Sequence, residues 1–180
     1  VLANLEFLVR KDLIYGHDIY FHLARIKGIS DSIKAGTIPA LIYPGYLSGY
    51  GYPNGVFYAD IFLYLPALLV YFGLNINIAY KIMMILINIG IFGSMYYAMK
   101  KIAKNKYTAL IVGLMYLMSS YKFCDMFLRA ALGETLAFVF FPLFILGLYS
   151  IFYGDKKNWY YFTIGLIGIC FSHNLSLLMC

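Results

Sequence analysis

The sequence predicts an all-α, polytopic transmembrane helical bundle, and three observations carry that prediction. First, 63% of the 180 residues are hydrophobic and only 12% are charged, against roughly a quarter charged in soluble domains. Second, the charges cluster: nine lie in 1–34, four in 100–106, four in 122–134 and three in 155–157, leaving only Asp60 and Lys81. Third, residues 82–99, 107–121, 135–154 and 158–180 hold no Asp, Glu, Lys or Arg. Such runs approach the roughly 20 apolar residues that cross a hydrocarbon core of about 30 Å. A soluble domain, a nucleic-acid binder and a disordered tail are excluded.

The chain opens on Val1 and closes inside an apolar run, so it reads as part of a longer protein. Residues 1–76 form a large first loop. Within it, 17–34 has helical periodicity, with Ile19, Leu23, Ile26 and Ile33 on one stripe and Lys27, Asp31 and Lys34 on another. That amphipathic helix suits an interface, and it suits packing against other helices equally well. Residues 35–59 are uncharged and rich in Gly, Pro and Tyr. Such a chain cannot keep its backbone hydrogen-bonded in lipid, so it belongs in a loop or a cavity. Segment 57–72 has a short apolar run interrupted by Pro66, too short for a span, and is expected as a juxtamembrane or re-entrant helix.

Residues 77–180 are expected to supply four transmembrane helices, at about 77–99, 107–121, 134–153 and 159–180. Lys100, Lys101, Lys104 and Lys106 form one basic cluster and Lys156 and Lys157 another. The positive-inside rule puts loops 100–106 and 155–158 in the cytoplasm and loops 10–76 and 122–133 outside. Cys124, Cys170 and Cys180 show neither a pairing pattern nor metal spacing.

Ionisable groups near a membrane are costly and so draw attention. Asp18, His22 and Arg25 share one helical face by their i, i+4, i+7 spacing. They suit a base, a proton relay and a phosphate clamp, or else an ordinary solvated face with an ion pair. The second cluster holds Asp125, Arg129 and Glu134. Asp125 and Arg129 at i, i+4 also fit a structural pair, and Glu134 gains from opening a helix. His173 lies between Ser172 and Asn174 in the last apolar run, where a satisfied interhelical hydrogen-bonder is the ordinary reading. No Walker loop, dinucleotide fingerprint or HExxH motif is present.

Several short motifs have a familiar order. Gly16-His17-Asp18-Ile19-Tyr20-Phe21-His22-Leu23-Ala24-Arg25-Ile26, Gly49-Tyr50-Gly51-Tyr52-Pro53, Leu65-Pro66-Ala67-Leu68-Leu69, Arg129-Ala130-Ala131-Leu132-Gly133-Glu134 and Ser172-His173-Asn174-Leu175-Ser176 follow one another along the chain. Together they resemble the bacterial YfhO-like membrane proteins, which are similar to type-C glycosyltransferases. The resemblance implies transfer of a sugar from a polyprenyl-phosphate donor at the outer face of the cell membrane. It implies catalytic roles for Asp18, with Asp125 or Glu134 as the second acidic position. His22, Arg25, Arg129 and His173 would contact substrate. Asp18 and Asp125 would be the ligands if a divalent cation, Mg or Mn, takes part. The expected partners are the lipid-linked donor and membrane lipid, and no nucleic acid. The alternative is a non-enzymatic transporter or lipid-handling scaffold.

Overall fold

The computed structural model describes residues 2–43, 45–178 and 180. Every regular element among them is helical. In chain order these are α1 (Leu5–Val9), α2 (Ile19–Lys34), α3 (Asn54–Phe57), α4 (Tyr64–Tyr71), α5 (Ile76–Ala103) and α6 (Lys106–Leu117). They continue with α7 (Ser120–Phe123), α8 (Leu132–Ala137), α9 (Phe141–Phe152), α10 (Tyr160–Cys170) and α11 (Asn174–Leu178).

Three helices are long and apolar enough to cross a membrane: Ile76–Ala103, Lys106–Arg129 and Leu132–Phe152. The first is α5, whose 28 residues make it about 42 Å long at 1.5 Å per residue. Its start is capped by the Asn75 side chain, which accepts from the Asn77 N–H at 2.9 Å. Its last turn carries Lys100 and Lys101, the sign that a helix C-terminus favours. Asn105 then caps α6, accepting from the Tyr107 N–H at 2.8 Å.

The second long helix differs from the expected pattern. Residues 122–129 were expected in an external loop; after α6 the backbone breaks at Ser119, which is extended with ψ 135°, and the segment re-forms as α7 and a π-helical turn, Cys124–Arg129. The charged residues of this stretch find partners within the bundle instead of in water. Lys122 is fully buried and donates to Asn88 Oδ1 at 2.9 Å, while Asp125 accepts from Arg129 at 2.5 Å. The helix ends only at Ala130, whose φ is 54°.

The last expected span also differs. The described residues of 159–180 hold two shorter helices, α10 and α11, interrupted at the polar Ser172–His173. α10 packs closely on α9 through glycines. A Cβ at Gly147 would come within 2.0 Å of the Phe162 N, and one at Gly165 within 2.4 Å of the Phe144 N. Small residues of this kind let membrane helices approach backbone to backbone.

The first loop folds onto the bundle. α2 packs against α4 and α5, burying Ile19, Ile26 and Ile29 against Ala67, Tyr80, Met84 and Ile87. Its apolar stripe is therefore covered by helices of the same chain, and Lys27 stays exposed and pairs with Asp31. The short apolar segment before α5 is Ile61–Tyr71. Pro66 sits in the first turn of α4, where a missing N–H costs no helical hydrogen bond.

Candidate functional site

The site begins where α2 begins. The His17 and Asp18 N–H groups donate to the carbonyls of Leu128 and Arg129, each at 3.0 Å. Gly16 makes this close approach possible, since a Cβ there would meet the Ala130 Cβ at 2.8 Å. Two main-chain bonds thus join the first loop to the end of the second long helix. The junction borders a cavity of about 720 Å³, within the range typical of small-molecule sites. Asp18, His22, Arg25, Arg129, Glu134 and His173 all line it, with Phe21, Phe57 and Tyr58 among the other walls.

The lining side chains are in different states of commitment. Asp18 is exposed and sits at the N-cap of α2 without a side-chain capping bond. Its carboxylate is open to the cavity. Arg25 is buried and nearly used up. Its Nε donates to Asp60 Oδ1 at 3.0 Å, its Nη2 to Asp60 Oδ1 and to the Ala59 carbonyl at 3.2 Å, and its Nη1 faces His22 Nδ1 at 3.3 Å. The guanidinium also lies 5.0 Å from the Tyr58 ring centroid, within cation–π range. Asp60 Oδ2 accepts from the Tyr43 hydroxyl, so both carboxylate oxygens are engaged.

His22 is held neutral. Burial lowers its pKa to about 3, the Arg25 charge acts in the same direction, and a hydrogen bond with the Ala130 backbone opposes them. Donors face both ring nitrogens, Arg25 Nη1 at Nδ1 and the Leu132 N–H at Nε2, 3.4 Å away, an arrangement that a positively charged imidazolium could not accept. The Tyr43 hydroxyl is raised above its ordinary value by burial first and by its bond to Asp60 second.

The opposite wall is built on the second and third long helices. Arg129 places Nη1 2.5 Å from Asp125 Oδ1 and 2.9 Å from Glu134 Oε2. The guanidinium also interacts with the Tyr121 hydroxyl, and the side chain is 44% exposed. Glu134 also accepts from the Tyr121 hydroxyl at 2.5 Å. His173 is held by Ser176 Oγ, 2.8 Å from its Nδ1, and it approaches Gly133, where a Cβ would lie 2.8 Å from the Ser172 carbonyl.

Asp125 is fully buried and does not line the cavity. Its contact with the site runs through Arg129. Among the described residues no group of three or more His, Cys, Asp or Glu side chains stands ready to hold a metal ion.

Two buried polar pairs, Arg25–Asp60 and Lys122–Asn88, leave only a faint trace in the sequence. Asp60 is the only charged residue in 35–80, and that isolation was the available signal. The Lys122–Asn88 pair had a similar trace, a polar Asn88 in the middle of a charge-free run.

No family model matches this chain, and no solved structure matches it. It is similar to an uncharacterized protein of Lactococcus lactis subsp. cremoris (strain MG1363). The two are 23% identical over 183 residues, covering 98% of this chain and 29% of the relative. The chain therefore spans less than a third of that relative's length.

Proposed function

We infer that the chain belongs to a membrane glycosyltransferase-like protein that transfers a sugar from a polyprenyl-phosphate donor at the outer face of a bacterial membrane. The observation that carries this reading is the cavity itself. It gathers an uncommitted carboxylate, a half-exposed guanidinium and aromatic walls at one end of membrane-long helices. The motif likeness to YfhO-like proteins supplies the reaction class.

In this reading an acceptor hydroxyl attacks the anomeric carbon of the donor sugar. The bond from that carbon to the phosphate oxygen breaks, and polyprenyl phosphate leaves with the electron pair. Asp18 takes the hydroxyl proton as general base. Arg129, half-exposed, meets the phosphate with its guanidinium, whose charge and planar donors suit that group. Glu134 orients Arg129, and Arg25 serves as a wall because Asp60 already holds it. His173 faces the same space and contacts the donor or the acceptor.

The test is turnover of a radiolabelled polyprenyl-phosphate sugar by the full-length protein in membrane, with and without added Mg or Mn. Release of polyprenyl phosphate is the expected result. Binding of the lipid-linked sugar without any turnover would favour a lipid-handling scaffold or transporter.

A further inference from the structure

The uncharged stretch 35–59 forms a hairpin with two different faces. Its arms pair at Tyr43 and Tyr52, which exchange N–H to carbonyl bonds of 2.9 and 3.2 Å. The Gly51 N–H reaches the Tyr46 carbonyl at 3.0 Å and the Gly55 N–H the Leu41 carbonyl at 3.2 Å. The inner face is fixed by Tyr43, which is fully buried, packs on Gly28 of α2 and bonds Asp60. The outer face is apolar and open. Ile38, Ile42, Leu47, Tyr50, Val56 and Phe57 are 57–92% exposed.

So many large apolar side chains exposed within one short hairpin call for a covering. Its chemistry selects the occupant. A protein partner is ordinarily met by a polar rim with hydrogen bonds, whereas this face has no Lys, Arg, Asp or Glu anywhere in 35–59. Of the five tyrosines in the stretch, Tyr50 is 92% exposed and Tyr52 38%, and tyrosine is the residue that membrane interfaces enrich. Its cross-arm hydrogen bonds satisfy several of its own backbone groups, which lowers the cost of leaving water. The hairpin is also tied to two apolar segments of the molecule. The Ala40 N–H donates to the α4 Tyr64 hydroxyl at 2.8 Å, and Ile38 and Leu41 share a groove with Phe171 at the end of α10.

We propose that the outer face of hairpin 38–58 is seated in the interfacial layer of the bilayer, beside the Tyr58 wall of the cavity. This stands independently of the reaction assigned to the site.

The test starts from the full-length protein with every tryptophan, Trp159 among them, replaced by Phe. Single reporters are then introduced as Tyr50→Trp, Val56→Trp and, on the charged face of α2, Lys27→Trp. Each protein is placed in phosphatidylcholine–phosphatidylglycerol vesicles whose acyl chains carry bromine near the head-group end. The two hairpin reporters are expected to show blue-shifted emission and a large loss of intensity in brominated vesicles. The Lys27→Trp reporter is expected to show neither. Water-like, unquenched emission from the hairpin reporters would overturn the proposal in favour of an aqueous loop. Blue-shifted but unquenched emission would overturn it in favour of a protein covering.

Discussion

Asp18 and Asp60 are carboxylates of the same loop, and their surroundings separate their roles. Asp18 is exposed and uncommitted, so Asp18→Asn removes a charge without opening a hole. If Asp18 is the base, turnover falls by a factor of about 10² to 10⁴, while thermal stability in detergent stays within about 0.5 kcal/mol. Asp31→Asn, on the exposed side of α2, is the control and leaves turnover unchanged. Equal turnover of the two variants would remove Asp18 from catalysis. Asp60→Ala strands a buried Arg25 and costs about 3–5 kcal/mol, read as a large fall in melting temperature. His22 adds a pH dependence. Its folded pKa is lowered from 6.5 to about 3, so between these values the unfolded chain binds more protons. Stability therefore falls as pH drops below about 6.5, by at most about 1.4 kcal/mol per pH unit. Melting curves between about pH 7 and 5 check this, and His22→Gln should flatten the trend.

At the scale of elements, the α9–α10 contact offers a clean comparison. Gly147→Ala places a methyl group against backbone atoms of Phe162, whereas a Cβ at Gly93 meets nothing within 4 Å. Overpacking of this kind costs about 1–3 kcal/mol. Gly147→Ala is expected to lower the melting temperature and Gly93→Ala to leave it level or raise it slightly; equal effects would contradict the packing. The elements also show what a sequence reveals. α2 was legible because its apolar and charged residues separate at a 3.6 period, and α5 because its run lacks charge. The π-turn that follows α7 was not. Lys122 reads as a loop residue until Asn88, distant in sequence, supplies its partner. The Tyr43–Tyr52 bridge was equally hidden, since one paired position leaves no alternating pattern to find. Of the cavity, Asp18, Arg129, Glu134 and His173 were visible as polar residues in apolar company, but their convergence is tertiary information. Asp60 was missed because a single acidic residue in a loop has no periodicity to mark it.

For the whole molecule, the contacts of α2 with the end of the second long helix require both to lie on one side of the membrane. In a background without native cysteines, single cysteines at the exposed positions Lys34 and Leu128 should react together with an impermeant thiol reagent applied outside. Cysteines at the exposed Lys101 and Lys157 should react only after permeabilisation. Labelling of Lys34 and Leu128 from opposite sides would break the cavity in two.

The main-chain junction at Asp18 also sets an order in time. Arg25, Asp60 and Tyr43 lie within a short stretch of chain and neutralise one another, so this loop can close as soon as Asp60 has been made. The carbonyls that His17 and Asp18 need belong to Leu128 and Arg129, which arrive about 70 residues later. At about 5–20 residues per second that is roughly 4–14 s of synthesis. The nascent loop thus waits with its charge pair already sheltered and its cavity edge unfinished, and the arrival of the second long helix completes the rim.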